Sequence, residues 1–439
     1  MIVRHITLLV LALAASAAAA PSVVVNPELP YWKGRSVESI AEEIKANGYS
    51  EVRLACSGDP AALRDLTKAF HSAEIKTWLL VDLTAMPSSG LPNGWEAWKM
   101  KLRKPSKEGA RDYLCPNNAA YVDWRRKQLV SALSEQPFLG VDLSGAFFPS
   151  ENGPEDEGYG CFCDSCLAAF KKMYPDSTGP PDFENSDSPR YWKTDATLYE
   201  KWGGFRVASI VGVVDALVIG EDGIRKKCPG VKIAVWHPGA ADPQAVKRVK
   251  PDVLVIETNR SDWTKPDLSA GYPTGYKHIV DAIHEIAAGV PVMLQTDIGS
   301  IQDSRRTRLW MNDCAKRAQG AGFADVVFHE YSLGDYVYSE PLTLLKAVLD
   351  EGKIRLVFNK RLDSAAASNI GNYSLTSGQV DYARPDGNTV LLSVSGASPG
   401  LTIRVSGLSD DEAARKFHDR PARSMDRAAS MVVKEAGGE

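Results

Sequence analysis

Two glutamates stand where an apolar, strand-like run stops: Glu257 in Val255-Ile256-Glu257-Thr258 and Glu330 in Phe328-His329-Glu330-Tyr331. An unpaired carboxylate at the end of a buried strand is costly, so each must be paired, solvated or put to chemical use. Asp142, Glu151 and Asp297 lie at or beyond the ends of other such runs, as does Asp82. Several carboxyls around one cleft are what glycosidic-bond hydrolysis requires. One protonated carboxyl gives the leaving oxygen its proton, and a second carboxylate acts as nucleophile or base. Each residue also has a structural alternative. A loop Arg or Lys could neutralise either glutamate, and Asp297 in Thr296-Asp297-Ile298-Gly299-Ser300 could cap the helix that follows.

Aromatic residues fall in the same places. Trp32, Trp236 and Trp263 each follow a strand-like run, with His237 and Tyr331 beside two of these run ends. Flat rings suit the apolar faces of sugars, and aromatic walls with a few polar groups are how ligand clefts are generally built. Packing in the core or a loop is the competing reading for any one tryptophan. The 7 histidines are dispersed along the chain, which gives little support to a catalytic metal held by several imidazoles. No cofactor is expected for catalysis.

The chain has 7 cysteines, an odd count that cannot pair completely. Cys115 in Tyr113-Leu114-Cys115-Pro116 and the cluster Cys161-Phe162-Cys163-Asp164-Ser165-Cys166 supply four sulphurs. They read as a structural zinc site closed by four thiolates or as two disulfides, with free thiols ranked behind both, and either of the first two would pin two long loops together. Neither is catalytic, because a zinc ion closed by four thiolates has no position open to substrate. Cys56, Cys228 and Cys314 read as small buried hydrophobes.

The elements that must position these residues alternate along the chain. Short β-branched runs at 23–25, 52–55, 77–81, 139–143, 232–236, 253–256, 290–294 and 325–328 are separated by amphipathic stretches. The spacing predicts helices at 37–45, 61–71, 119–133, 199–227, 278–287, 305–319 and 342–349. Strand-helix alternation implies parallel pairing with right-handed crossovers, and eight units fit a (β/α)8 TIM barrel over residues 21–351. An open doubly wound sheet is the alternative, but no Gly-x-Gly-x-x-Gly turn follows the first strand. In such a barrel the active site sits at the carboxyl ends of the strands, which is where the acidic and aromatic residues above fall.

Residues 352–409 change texture to short strand-like runs separated by Pro-Asp-Gly-Asn and Ser-Pro-Gly turns, a small all-β module. Its runs at 355–363, 372–375 and 386–392 resemble those of bacterial Ig-like domains, which implies a β-sandwich and a role in surface or glycan attachment. Residues 410–439 are polar without apolar period and read as a mostly disordered tail. At the other end, the apolar run 6–20 follows Arg4 and His5 and closes in small residues before Pro21. That is the pattern of a signal peptide over residues 1–20, so the protein is expected to be secreted or periplasmic. No later run reaches the ~20 apolar residues that span a bilayer. With 44% hydrophobic and 24% charged residues, wholesale disorder is excluded. A formal charge of -4 offers nothing to a nucleic acid, so carbohydrate is the expected partner.

The stretch Leu114-Cys-Pro-Asn-Asn118, the run Gly140-Val-Asp-Leu-Ser-Gly-Ala-Phe-Phe-Pro149 and the cysteine cluster leading into Leu167-Ala-Ala-Phe-Lys-Lys resemble the hypothetical secreted glycosyl hydrolases. That glycoside-hydrolase-like TIM-barrel family is distantly similar to fucosidase and β-galactosidase-type barrels. The resemblance implies cleavage of glycosidic bonds in a poly- or oligosaccharide. In that family strand four commonly ends in Asp-Gly with a catalytic Asp, whereas this chain has Ser144-Gly145. Either Asp142, two residues earlier on the same strand face, or Glu151 replaces it, or the barrel binds carbohydrate without cleaving it. The expected catalytic set is Glu330 or Glu257 with Asp142, Glu151 or Asp297, and Trp32, Trp236, His237, Trp263 and Tyr331 line the sugar site.

Overall fold

The computed structural model describes residues 21–104, 112–149, 153–237, 243–299, 303–398, 400–412 and 421–435. Eight parallel strands close into a barrel: β1 (Ser22–Val25), β2 (Glu51–Cys56), β3 (Lys76–Asp82), β4 (Gly140–Ser144), β5 (Lys232–His237), β6 (Val253–Glu257), β7 (Val292–Asp297) and β8 (Asp325–His329). Each pairs with the next, and β8 returns to β1 with Val23 opposite Phe328. All eight predicted runs are barrel strands. The residues 1–20 read as a signal peptide lie outside the described residues.

Helices cover the outside, among them α1 (Val37–Ala46), α2 (Arg64–Ser72), α3 (Ala119–Glu135), α4 (Asp164–Met173) and α5 (Ala196–Val218). In α1, Ser36 caps the first turn by accepting the Ser39 N–H at 3.1 Å, while Ile40, Ala41 and Ile44 are buried. That is the amphipathic stripe its spacing predicts. No helix among the described residues is long and apolar enough to cross a membrane.

Residues 342–349, predicted as a last helix, instead supply β9 (Leu344–Asp350), which turns back as β10 (Lys353–Phe358). Glu351 and Gly352 both have positive φ, 47° and 77°, the geometry of a two-residue hairpin. A register shift between Leu344 and Lys346 buries Leu342, Leu344 and Ala347, a spacing that imitates a helical stripe. The barrel therefore ends before Leu344, not at Glu351. The strands β11 (Tyr373–Leu375), β12 (Gln379–Asp386), β13 (Thr389–Ser395) and β14 (Thr402–Val405) fall within the stretch 352–409 expected to hold short strands.

The supposed tail also folds. Ala429–Val432 is β15, antiparallel to β14, and Lys434–Glu435 is β16, parallel to β9. The module thus has a five-stranded sheet in the order β12-β13-β10-β9-β16 and a three-stranded sheet β11-β14-β15. A core of Ile354, Leu356, Phe358, Leu392, Ile403 and Val405 fills the module. Residues 429–435 carry little apolar signal because β15 alternates only between exposed and half-buried positions, and the one fully buried residue is Val433.

The module locks onto the barrel through the turn Asp386-Gly387-Asn388. Asp386 accepts the Ser36 N–H at 2.8 Å, and Asn388 Oδ1 accepts Arg35 Nη2 at 2.8 Å. Arg35 also pairs with Glu43 at 2.7 Å, both side chains being fully shielded. Gly387 has φ +59°, and a Cβ there would lie 2.2 Å from Arg35 Nε and 2.3 Å from Ser39 Oγ. Gly387→Ala should cost about 2 kcal/mol or more in denaturant unfolding, combining left-handed strain with loss of the packed turn. Gly48→Ala is the control, since its φ is +84° and nothing lies within 4 Å. Equal costs for the two would mean that the turn holds nothing.

Candidate active site

The carboxyl ends of the strands surround a cavity of about 320 Å³ whose lining includes Asp82, Ser144, Trp236, Glu257, His329 and Glu330. These come from the ends of β3, β4, β5, β6 and β8, so five strands converge on one small volume. Asp82 stands opposite Ser144 in the β3–β4 register. Gly145, at φ +57°, lets the chain pass close to Asp82, because a Cβ there would be 2.6 Å from Asp82 Oδ1.

Glu257 is half-buried and makes no side-chain hydrogen bond among the described residues. Burial first, and the negative charge of Asp82 second, push its carboxyl up to about 7. Neither effect involves a stabilising donor, so Glu257 holds a proton that it can release near neutrality. Glu330 is held differently. It is 1% exposed. Its Oε2 accepts the Asn26 N–H at 2.7 Å, and its Oε1 accepts the Ser332 N–H at 2.9 Å and the Ser332 hydroxyl at 3.0 Å. Burial also lifts Glu330 to about 7, opposed by those hydrogen bonds. The indole N–H of Trp32 is buried nearby, outside hydrogen-bond geometry yet close enough to favour the ionised form.

Two of the expected carboxylates are committed elsewhere. Asp142 is fully buried beneath the cavity, where Arg53 Nη1 donates to Oδ1 at 2.9 Å and Oδ2 at 2.8 Å and Trp236 Nε1 donates to Oδ1 at 2.9 Å. Arg53 is equally buried and stacks 4.2 Å from the Trp78 ring centroid. Asp142 is thus the counter-charge of a barrel-interior arginine. Trp236 turns its N–H to that pair and its ring to the cavity. Asp297 is fully buried and paired with Arg306, and it accepts the Gly299 N–H at 3.0 Å. Arg306 Nη2 also donates to the carbonyls of Asp262, Trp263 and Lys265 at 3.0, 3.1 and 3.1 Å. The pair sews the end of β7 to the loop after β6, a structural role in place of the catalytic one.

The aromatic candidates divide in the same way. Tyr331 and Trp32 are core residues: their ring centroids lie 5.3 Å apart, with Tyr49 6.0 Å and Tyr31 6.4 Å from Tyr331. The Tyr331 hydroxyl accepts from Asn47 at 2.8 Å, so neither ring is a platform for sugar. Trp263 remains half-buried and stacks on His329, with centroids 5.6 Å apart and planes 22° apart. Its Nε1 donates to Thr258 Oγ1 at 2.7 Å. Glu151 and the side chain of His237 lie outside the described residues. Asp82 was legible as a strand-end residue, sharing a strand face with Leu80, but the pairing with Glu257 was not. Gln295, opposite Glu257 in register, is fully buried with both amide atoms lacking a hydrogen bond among the described residues. No pattern in the sequence marked it.

The four sulphurs of Cys115, Cys161, Cys163 and Cys166 all lie within 4.8 Å of one another, and Cys115 Sγ is 3.4 Å from those of Cys163 and Cys166. Four thiolates ~2.3 Å from a tetrahedral zinc stand ~3.8 Å apart, whereas a disulfide brings two sulphurs to ~2.05 Å. The spacing suits a shared metal. Cys166 sits in the first turn of α4, and its sulphur receives a hydrogen bond from Asn117 Nδ2 at 3.3 Å.

The chain matches no protein-family model. No curated protein matches it. Solved structures do. The β-galactosidase of the psychrophilic Marinomonas ef1 superposes with a TM-score of 0.51 at 15% identity, over 71% of this chain and 54% of that one. The β-galactosidase of the Antarctic haloarchaeon Halorubrum lacusprofundi gives 0.52 at 14% identity, over 70% and 52%. The PgaB (BpsB) glycoside hydrolase domain of Bordetella bronchiseptica gives 0.50 at 12% identity, over 71% and 93%. The chain spans about half the length of the two β-galactosidases. These neighbours are glycoside hydrolases, and at such identities the likeness is one of fold.

Proposed function

We propose that this chain is an exported glycosidase that cleaves a glycosidic bond in a poly- or oligosaccharide, with Glu257 as proton donor and Asp82 as the opposing carboxylate. The observation that carries the reading is a carboxyl pushed up to about 7 by burial and by a second carboxylate lining the same cavity. Glycosidases separate their two carboxyls in this manner, one kept protonated by its surroundings and the other left ionised. Glu257 gives its proton to the departing oxygen while Asp82 attacks the sugar or activates water. Glu330, its oxygens held by Asn26 and Ser332, fixes the β8–β1 corner. Ser144 stands in register with Asp82, so the neighbouring strand supplies the carboxylate that strand four lacks. This favours catalysis over binding alone.

The test is release of reducing ends or aryl groups from a panel of polysaccharides and aryl glycosides. Because the acid must be protonated, kcat should fall as pH rises through about 7 and persist below it until the partner carboxylate is protonated. A flat profile from pH 5 to 9 would remove Glu257 from the mechanism. If glycans bound but none were cleaved, the barrel would be a capture module.

The four-cysteine cluster reads as a structural zinc site that ties the loop after β3 to the loop before α4, and it takes no part in the reaction. Elemental analysis should find one zinc per chain, and Cys163→Ser should lose the metal and lower the melting temperature. Metal-free protein whose melting temperature drops on reduction would replace zinc with disulfides. The C-terminal module reads as an Ig-like attachment domain. Recovery of mature chain beginning near Pro21 from the periplasm or medium would establish export.

A further inference from the structure

A second cavity, of about 660 Å³, opens beside the first and is bounded in part by Glu28, Lys33, Asp59, Leu91, Trp124 and Gln128. The two share Ala55 and Cys56 at the end of β2 as a common wall. Resting on the glycosidase reading, we infer that they form one cleft and that the outer cavity is a subsite for further sugar units, so the substrate is an oligosaccharide or polysaccharide chain. The inner cavity alone is at the small end of the ~300–1,000 Å³ usual for ligand sites, and the outer is about twice its size.

Ser57, which lines the inner cavity, donates to Glu28 of the outer one at 2.8 Å. In the wall of the outer cavity Gly58 and Gly90 touch backbone to backbone, with a Cβ on Gly90 falling 2.5 Å from Gly58 Cα, so no side chain stands at that contact. The outer wall also carries the chemistry of sugar recognition. Trp124 is half-buried and extends an aromatic group with Trp98, 5.4 Å away at 39°, and Tyr121, 6.2 Å away. The same cavity is lined by the charged and amide groups of Glu28, Lys33, Asp59 and Gln128, which are suited to hydroxyls, and a ring face suits the apolar side of a pyranose.

The experiment compares the protein with Trp124→Ala and Lys33→Ala on cello-, galacto- and chito-oligosaccharide ladders from disaccharide to hexasaccharide, with aryl monoglycosides beside them. Binding by calorimetry and kcat/KM are both read, and melting curves check folding. For the unsubstituted protein, affinity and kcat/KM should rise with chain length. Trp124→Ala should lose about tenfold more on the longer members than on the monoglycoside, and Lys33→Ala, at an exposed position, should show the same sign. Absence of length dependence, or equal losses on short and long substrates, overturns the inference. If affinity climbs with length and Trp124→Ala flattens it while nothing is cleaved, the subsite stands and the hydrolytic reading falls.

Discussion

Glu257→Gln lowers kcat by ~10²–10⁴-fold on substrates with poor leaving groups, the usual contribution of a positioned general acid. The amide keeps the shape of the side chain and removes the proton. Glu257 has no side-chain hydrogen bond among the described residues, so the change disturbs no network, and glycan binding and melting temperature should stay close to those of the parent. The loss should shrink for aryl glycosides whose leaving groups need little protonation. Residual activity should also lose the decline above pH 7, because the group responsible, raised by burial and by Asp82, is gone. Asp82→Asn should be as damaging to kcat, and it should bring the decline on the alkaline side toward lower pH by removing the charge that raises Glu257. Full activity in Glu257→Gln would assign the proton to another group, with Glu330 next in line.

Asp142→Ala should destabilise the fold by ~3–5 kcal/mol in denaturant unfolding, the range for removing one partner of a buried ion pair. Arg53 is left fully buried, and Trp236 Nε1 loses its acceptor. Glu51, 3.0 Å from Arg53 Nη2 and partly exposed, retains some compensation, which places the expected value toward the lower end. The double replacement Arg53→Met with Asp142→Leu should recover most of the loss, because it removes both charges and fills the space with apolar atoms. A cost below ~1 kcal/mol for Asp142→Ala would mean that water reaches the pair, as it does for exposed ion pairs.

The contrast between these aspartates shows what was legible in the sequence. The eight strands could be read because each is buried on both faces and so appears as a nearly continuous β-branched run. Strand parity also put Asp142 and Ser144 on one face, but parity says nothing of depth. Two residues along a strand is ~6.6 Å, enough to drop Asp142 from the mouth into the interior where Arg53 waits. The partner comes from β2, 89 residues earlier, and no local pattern links them. Trp32 and Tyr331 were placed correctly after their strands, yet whether a loop ring turns inward depends on partners from other elements, as Tyr331 does on Trp32 and Tyr49. The cysteine spacing marked a four-sulphur cluster, but the convergence of all four sulphurs within 4.8 Å is a product of the fold that the spacing alone does not give. In the C-terminal module a register shift disguised β9 as a helix, and weak edge-strand burial hid β15.

The hydrogen bond from the Asn26 amide to Glu330 joins groups 304 positions apart in the chain, and it lies at the corner where the last barrel strand meets the first. This wall of the candidate site is therefore made by the same event that closes the ring. Until β8 arrives, β1 presents an unpaired edge and the nascent barrel is an open sheet that can recruit foreign strands. Such non-local pairing is slow to form. A partly synthesised chain can hold seven strands and still lack the completed cavity. Loosening β1 should undo this wall of the cavity before the remaining strands begin to melt.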